Sequence, residues 1–581
     1  MRLRQRGTEW AATAVLFASS AFGGDWLTFG HDPQRSGWAI EETRLNPENV
    51  SALRLQWKTP VANQFSVLSA LTAPVVAATG NRSVVYVAGS SGTVFALDAQ
   101  TGEALWSRAL RSMAIPRKGG LQGTFLCPNG ITATPVIDKE TGILYVTAAD
   151  GALYGLDLAT GRIRYGPVLF VAPFAKSWSL NLYEGTVYTT VSLGCGGGRP
   201  GLYAVDIRNP HQPTVREILL SDNFTAGIWG RGGAIIGKNG KIYGGTSDGE
   251  SDPRHGDYSN SLVAISQKDL SVADYFLPVN WPYLKKKDLD MASASPVWFT
   301  WNGRNLIAQS SKEGVLRLLD ADSLGGKDHQ TPLFTARVGN EKDECCQGVG
   351  VWGALSSSRD SQGETWVYVP LGGPPAPNAP KFPITNGDNV HGSIMAFRVE
   401  SDPRTGSPIL EPAWISGDFN RPDPAVIANG VIFALSNGEN ADQHGGESKR
   451  FLNTSAAVLK ALDAKTGKEL FNSGTAMTSW VHFSGIAVAD GRVYAVDHDS
   501  NVYCFGLGDA STGTSTSQTL ATAKNAGENA LSRSWVEGTL NQDEILANWI
   551  KRAVVTSSVA VLAAIVGLWA GFRSMRKASQ S

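Results

Sequence analysis

The stretch YVAGSSGTVFALDAQTGEALW, residues 86–106, decides the fold because degraded copies of it recur along the chain. One copy, YVTAADGALYGLDLATGRIRY, occupies residues 145–165, and a late copy ends in ALDAKTGKELF at residues 461–471. Each copy has two alternating segments around a glycine-containing turn, then an Asp-x-x-Thr-Gly turn and an outer segment that ends in an aromatic residue. Alternation with a period of two indicates β-strands. Repetition at this length indicates units that bury their faces only against their neighbours.

Four-stranded units that close into a ring are the blades of a β-propeller. Counting the turns predicts an all-β, eight-bladed β-propeller over residues 24–508. The last unit, Ser484 to Gly508, contains only three strand segments. We expect the segment Leu53–Pro60, which precedes the first unit, to supply its fourth strand, because an N-terminal strand there removes an exposed sheet edge.

The bulk composition agrees with this class of fold. The chain has 581 residues, 42% of them apolar and 18% charged, which is enough for a large core. Its 64 glycines against 6 methionines favour a turn-rich β-protein over a helical one. A net charge of -1 without a long basic run excludes nucleic acid as an expected partner.

The N-terminal segment has the pattern of a secretory signal peptide. Arg2, Arg4 and Arg6 precede an apolar run at residues 11–22, and small residues follow. We expect residues 1–23 to be removed on export, and the alternative is an N-terminal membrane anchor, for which the run is short.

The C-terminal segment predicts a membrane anchor. Residues 553–572 carry no charge and are flanked by basic residues, so a transmembrane helix is expected over residues 551–573. A Ser- and Thr-rich stalk is expected at 509–550 and a cytoplasmic tail at 574–581. Together with the signal peptide, this places the propeller outside the cytoplasmic membrane, in the periplasm if the source is bacterial.

One motif within the repeat resembles that of a known superfamily. The pattern Ala-x-Asp-x-x-Thr-Gly-x-x-x-Trp, at residues 96–106, is similar to the repeat of the quinoprotein (pyrroloquinoline quinone, PQQ) propellers, and shorter forms recur at 157–161 and 463–467. The resemblance covers roughly Trp26 to Gly508. The Asp side chain fixes the turn, and the outer aromatic is expected to pack between sheets. These repeat residues are structural and say little about chemistry.

The resemblance implies where a cofactor would lie. With the strands of a blade labelled A to D from the shaft outward, the D-to-A and B-to-C loops share one face, and quinoprotein enzymes bind PQQ there. Aromatic faces and cations suit a flat polycarboxylate, and the candidate cofactor-binding residues on this face are Trp178, Trp229, Arg231, Cys345, Cys346 and Trp352. The alternative is that the tryptophans merely fill the shaft.

The cysteines suit an oxidising compartment. Cys127 and Cys195 come from adjacent blades and could pair, whereas Cys504 lies mid-strand as a buried thiol. The pair Cys345–Cys346 resembles in kind the adjacent-cysteine disulfide of quinoprotein alcohol dehydrogenases. That family's pair lies early in the chain, however, so its role is not carried over. Reduced thiols and a disulfide that only stiffens the loop remain alternatives.

The loop at residues 246–260 contains the best candidate for a hard-metal site. Asp248, Glu250 and Asp252 alternate on a glycine-containing turn and could converge on Ca²⁺, the ion that quinoprotein dehydrogenases use with PQQ. The alternative is a solvated acidic loop. In an enzyme, a base would come from Asp248, Glu250 or Asp257, and Arg231 would anchor the quinone.

Two functions follow from these observations. The first is a membrane-anchored, extracytoplasmic propeller that acts as a binding or scaffold module for a protein or small-molecule ligand, like the outer-membrane-protein assembly scaffold of the same superfamily. The alternative is a PQQ- and calcium-dependent dehydrogenase that oxidises an alcohol or sugar. Because the chain contains no Cys-x-x-Cys-His motif, covalently attached haem is not expected.

Overall fold

The computed structural model describes residues 24–508 except 69, 111, 113, 344, 346–348 and 441–452. The predicted signal peptide, stalk, transmembrane helix and tail lie outside the described residues. Among the residues that are described, no helix is long and apolar enough to cross a membrane.

Eight antiparallel sheets follow one another along the chain, which confirms the predicted eight-bladed propeller. Nearly every residue of strands A, B and C is buried in each blade, because the neighbouring blades cover both faces of the sheet. Blades one to four consist of Val75–Thr79, Arg82–Ala88, Thr93–Asp98 and Ala104–Ala109; Val136–Asp138, Ile143–Thr147, Ala152–Asp157 and Ile163–Leu169; Lys176–Ser177 with Asn181–Tyr183, Thr186–Ser192, Gly201–Asp206 and Thr214–Leu219; and Ile235–Ile236, Lys241–Gly245, Leu262–Ser266 and Val272–Phe276.

The second half of the ring is more irregular because insertions interrupt the blades. Blades five to eight consist of Val297–Trp301, Arg304–Gln309, Val315–Asp320 and Phe334–Arg337; Gly350–Val351 with Ser356–Arg359, Thr365–Gly372, Gly392–Ser401 and Pro408–Ile415; Val426–Ala428, Val431–Ser436, Val458–Asp463 and Glu469–Asn472; and Ala487–Ala489, Arg492–Val496, Asn501–Leu507 and Leu53–Pro60. Ile384–Thr385 extends blade six, Ala294–Ser295 pairs with Gly353–Ala354, and the described part of the chain has one α-helix, Trp281–Lys287.

The ring closes as predicted. Leu53–Pro60 pairs antiparallel with Asn501–Leu507, from Leu53 opposite Leu507 to Pro60 opposite Asn501, with one irregularity between Leu55 and Trp57. The N-terminal strand therefore becomes the outer strand of blade eight and covers the edge that this blade would otherwise expose.

The Asp-x-x-Thr-Gly turn joins each repeat to the blade beside it. In blade one, the Asp98 carboxylate accepts the N–H groups of Gln100 at 2.9 Å and Thr101 at 3.1 Å. Gly102 has φ 75°, and a Cβ there would lie 2.6 Å from the Trp57 ring of the preceding blade. Only glycine satisfies both the backbone conformation and the close approach.

The outer tryptophans pack between sheets, as expected, and also form hydrogen bonds to the next blade. The indole N–H of Trp57 donates to the Ala99 carbonyl at 3.2 Å, and that of Trp106 donates to the Leu158 carbonyl at 3.0 Å. Trp414 repeats the arrangement in blade six, 3.0 Å from the carbonyl of Ala464. A buried indole N–H thus gains a partner while its ring fills the space between blades.

The segment at residues 24–46 crosses the lower face, the face of the A-to-B turns, and sequence analysis assigned it no role. Trp26 bridges to Val76 in blade one, and Trp38 bridges to Ile427 in blade seven. Between them, Arg35 inserts into the shaft and is 1% exposed. The segment therefore closes the lower end of the shaft.

Candidate functional site

Three predicted tryptophans meet at the upper end of the shaft, the end bearing the D-to-A and B-to-C loops. The ring centroids of Trp178 and Trp229 lie 6.3 Å apart, as do those of Trp229 and Trp352. Trp352 stacks on Phe483 at 6.2 Å and 6°. We call Trp178, Trp229 and Trp352 the indole layer.

Cations cover this layer. Four of them lie between 5.2 and 5.8 Å from a ring centroid, namely Lys176 and Arg231 on Trp178 (5.3 and 5.8 Å), Lys312 on Trp229 and Trp352 (5.3 and 5.2 Å), and Arg421 on Trp352 (5.3 Å). Only Arg231 was among the predicted site residues. Lys312 and Arg421 were missed because a single cation in a loop carries no motif.

A cluster of carboxylates adjoins Lys312. Asp248, from the B-to-C loop of blade four, meets Asp288 and Asp290, which precede strand A of blade five. One carboxylate oxygen from each lies within 4.8 Å of the others. The Lys312 ammonium donates to Asp288 Oδ1 at 2.9 Å and to Asp290 Oδ2 at 2.6 Å. We call these three aspartates the acidic triad.

The triad carries more negative charge than its surroundings balance. Burial, followed by repulsion from Asp290 and Asp288, raises the pKa of Asp248 to about 8. Burial and Asp290 likewise raise the pKa of Asp288 to about 7. Burial alone would lower the pKa of Lys312, but Asp290 and Asp288 outweigh it and raise this pKa above its ordinary value. One ammonium against three carboxylates leaves room for a further cation.

Glu250 and Asp252, which were expected to converge with Asp248, lie apart from the triad. Glu250 has a 75% exposed side chain and pairs with Lys285, and Asp252 bonds the His255 ring at 2.7 Å. The backbone turns at Asp248, whose φ is 34°, so alternate residues do not share one face there. Period-two alternation applies to a strand and fails in this turn.

Asp257, the remaining candidate base, is engaged within its own loop. Its carboxylate accepts the Ser221 hydroxyl at 2.8 Å and the Ser259 N–H at 2.9 Å. Sequence analysis missed Asp288 and Asp290 because they stand in another blade's connection, with no spacing that links them to Asp248.

The cysteines divide into three kinds. Cys127 and Cys195 form a disulfide with an S–S distance of 1.99 Å, which ties the connection before blade two to blade three. Cys504 is a buried free thiol, as predicted, and burial raises its pKa to about 12. Cys345 is disulfide-bonded and its Sγ lies 2.9 Å from Asp288 Oδ2, whereas Cys346 lies outside the described residues.

A second charged group adjoins the indole layer through Arg421, which lies 5.3 Å from the centroid of the Trp352 ring. The Glu439 side chain is fully buried, its Oε1 lies at hydrogen-bond distance from His482 Nδ1, 2.8 Å away, and Arg421 lies 3.4 Å from its Oε2. Arg231 donates to the His482 carbonyl at 2.6 Å. Burial raises the pKa of nearby Asp423 to about 6. The upper end of the shaft is thus lined by aromatic rings and alternating charges.

Comparison with known proteins places this arrangement in a class. Residues 49–212 match the family described as outer membrane protein assembly factor BamB. The curated relatives and the similar solved structures include a 1-butanol dehydrogenase, quinohemoprotein alcohol dehydrogenases and a methanol dehydrogenase, so the comparisons support a β-propeller that resembles the PQQ-dependent dehydrogenases, as the repeat indicated.

Particular relatives are distant. The chain is 22% identical over 360 residues to "1-butanol dehydrogenase (cytochrome c)" of Thauera butanivorans, covering 54% of this chain and 49% of the relative. It is 29% identical over 168 residues to the quinohemoprotein alcohol dehydrogenase of Comamonas testosteroni, covering 29% of this chain and 20% of the relative. The chain therefore matches half or less of the length of these relatives.

The solved structures agree in fold. The crystal structure of the Comamonas testosteroni enzyme superimposes with a TM-score of 0.53 at 16% identity, covering 85% of this chain and 82% of that one. A europium-containing methanol dehydrogenase gives a TM-score of 0.50 at 14% identity, covering 83% and 89%. At these identities the likeness concerns the fold alone.

Proposed function

We propose that the chain is a PQQ-dependent dehydrogenase that uses a metal cation to oxidise an alcohol or sugar. The observation that carries this proposal is the juxtaposition of the acidic triad, Lys312 and the indole layer at one end of the shaft. The dehydrogenase relatives support it over a purely non-enzymatic role.

The acidic triad fits a hard cation. Carboxylate oxygens are the ligands that Ca²⁺ prefers, and three of them reach one point here. A divalent cation would also offset the burial and the mutual repulsion that raise the pKa values of Asp248 and Asp288. Because one structurally similar methanol dehydrogenase contains europium, a lanthanide is the second ion to test.

The indole layer and its cations fit a flat polycarboxylate. Indole faces can stack on the quinone plane, and guanidinium groups can bind its carboxylates. The buried Nε1 of Trp229 has no hydrogen-bond partner among the described residues, which leaves a donor for a ligand. Trp229, Trp352, Arg231 and Arg421 are the residues that would hold PQQ. When bound, PQQ would accept a hydride, which is two electrons and one proton, while the hydroxyl proton of the substrate would go to a base of the protein.

Within the triad, Asp288 suits the role of base. Its side chain is 46% exposed, so a substrate hydroxyl can reach it, whereas that of Asp290 is 3% exposed. A carboxylate that is accessible beside the cation site can take up the hydroxyl proton of the substrate. Lys312 holds one oxygen of Asp288 and thereby orients the carboxylate, while Asp290 remains as a cation ligand.

Reconstitution tests this proposal. The purified chain is loaded with PQQ and Ca²⁺, or a lanthanide, and assayed for bound quinone absorbance and for dye reduction with primary alcohols and sugars. Asp288→Asn should lower dye reduction about a hundredfold or more while quinone binding persists. The matched control is Asp252→Asn, an aspartate of the upper face outside the triad. Failure to bind PQQ at micromolar concentration, or full activity in D288N, would overturn the respective assignment.

A binding or scaffold role is the second candidate, and the packing of the indole layer favours it. Neighbouring rings stand 6.2 to 6.3 Å apart, and Lys312 and Arg421 already cover them. A shaft filled in this way would leave the upper loops to bind an extracytoplasmic protein partner. The same reconstitution decides between the two, because this role requires that quinone does not bind.

We also propose that the propeller is exported and anchored outside the cytoplasmic membrane, on the basis of residues 1–23 and 551–573. The test compares the full chain with a chain that ends at Gly508. The full chain should sediment with membranes and be digested by protease added outside the cell, and the shorter chain should be released in soluble form. Protection of the propeller from external protease would contradict the orientation.

A further inference from the structure

Lys176 stands out among the buried cations of the described residues. It lies at the inner end of blade three, opposite Ser192 in the sheet register, and only 8% of the residue is exposed. Its Nζ lies 5.3 Å from the centroid of Trp178, but it makes no hydrogen bond or ion pair with any described residue. Lys312, which is similarly buried, bonds two carboxylates instead. Lysines are rarely buried without a partner.

The surroundings of Lys176 add positive charge instead of balancing it. Arg231 lies over the same Trp178 ring at 5.8 Å. Burial and then Arg231 lower the pKa of Lys176 to about 7, and no carboxylate of the described residues opposes them. Asp423 and Glu439 act on Arg231, not on Lys176. Lys176 and Arg231 thus lie over one ring, and described carboxylates act only on Arg231. The charge of Lys176 remains unbalanced, so an anion could bind beside it.

Two further hydrogen-bonding groups lie on elements that contact Lys176 or Trp178. The hydroxyl of Thr190 is buried and has no partner among the described residues, and the same holds for the indole N–H of Trp229. Thr190 stands two positions before Ser192 on the strand that pairs with Lys176, so both side chains project from the same face of the sheet. Hydrogen-bonding groups without partners, near a buried ammonium that no described carboxylate balances, suit an oxygen-rich anion.

We propose that Lys176 and Arg231 form a carboxylate-binding subsite against Trp178. This inference deepens the proposed function, because it gives the ligand of the upper face an anionic group at a defined position. The carboxylate belongs either to the quinone or to a substrate that carries an acid group beside its alcohol. The recognising chemistry is the same in both cases, and the experiment separates them.

The test measures binding by titration calorimetry, using benzoate as a flat carboxylate and benzyl alcohol as its uncharged counterpart. The wild-type chain should bind benzoate and discriminate against benzyl alcohol by about tenfold or more. Lys176→Met should remove this discrimination, and Lys176→Arg should keep most of it. The matched control is Lys58→Met, since Lys58 also lies over an aromatic ring, 5.5 Å from the centroid of Tyr503, but on the exposed outer strand.

Folding and ligand source are controlled separately. Removing an unpaired buried ammonium should leave the denaturation midpoint of K176M unchanged or higher, so lost binding would not reflect lost structure. If PQQ displaces benzoate, the subsite takes a quinone carboxylate; if benzoate binds the quinone-loaded chain, it takes a substrate carboxylate. Wild-type affinity for benzoate in K176M would overturn the subsite. Benzoate binding that depends on Lys176, without any quinone binding, would overturn the proposed dehydrogenase and leave the subsite intact.

Discussion

The two ends of the shaft each bury a cation, and they treat it differently. At the lower end, Arg35 donates to the carbonyls of Phe29, Leu180 and Gly232 at 2.7 to 2.9 Å, so its guanidinium is satisfied by the protein itself. At the upper end, Lys176 is also buried, with 8% of the residue exposed, and has no such partner among the described residues. The buried cation at the lower end therefore has a structural role, whereas the one at the upper end is free to bind a ligand.

The carboxylates repeat this contrast. A chain selected only for stability would pair or replace the buried aspartates of the acidic triad, because mutual repulsion of enclosed charges costs free energy. Unbalanced groups that persist are concentrated at functional sites. The comparison therefore assigns ligand binding to the upper end of the shaft, whereas the lower end serves only to close the shaft.

The largest effect is expected at the lower end. Arg35→Met would remove several hydrogen bonds and leave buried carbonyls without donors, which should lower the free energy of unfolding by about 3 kcal/mol or more. Urea denaturation followed by circular dichroism measures it. Arg44→Met is the control from the same segment, because Arg44 forms an exposed ion pair with Asp490 and should cost less than about 1 kcal/mol. Equal losses in both variants would break the contrast.

The carboxylates at the upper end should make the free energy of unfolding depend on pH. The pKa values of Asp248 and Asp288, about 8 and about 7, exceed those of an unfolded chain. Between about pH 5 and pH 8 the folded chain therefore holds protons that the unfolded chain has released, so the free energy of unfolding should fall as pH rises, by about 2 kcal/mol after allowance for screening and coupling.

Urea denaturation of the metal-free chain across this pH range measures the fall. Asp248→Asn should flatten it, and saturating Ca²⁺ should oppose it by favouring the ionised carboxylates. A stability that rises over the same interval, or an unchanged slope in D248N, would contradict the burial of excess negative charge.

Most of the fold could be predicted from the sequence, because it depends on local patterns. The Asp98-to-Gly102 turn and the strands around it repeat with fixed spacing, and the three-stranded last blade required a fourth strand, which Leu53–Pro60 supplies. The segment of Arg35 was missed, since its partners are carbonyls of blades three and four that no sequence pattern associates with it.

The site could be predicted only in part. Trp178, Trp229 and Trp352 were found because loop order alone assigns them to the upper face, and blade geometry brings them together. The triad joins two loops from different blades, so Asp248 was found without Asp288 and Asp290. Membership of such a cluster depends on the folded geometry of two connections, which a single loop does not encode.

The smallest expected effect distinguishes the acidic loop from the triad. Glu250→Gln and Asp248→Asn each replace a carboxyl group by an amide, at positions two residues apart. E250Q should change the Ca²⁺ dissociation constant by less than about twofold and the stability by less than about 0.5 kcal/mol, since Glu250 is 75% exposed and pairs with Lys285. D248N should weaken Ca²⁺ binding about tenfold or more. Calorimetric titration of both variants measures this difference. Equal weakening in both variants would indicate that the acidic loop binds Ca²⁺, and would contradict the assignment of the cation site to the acidic triad.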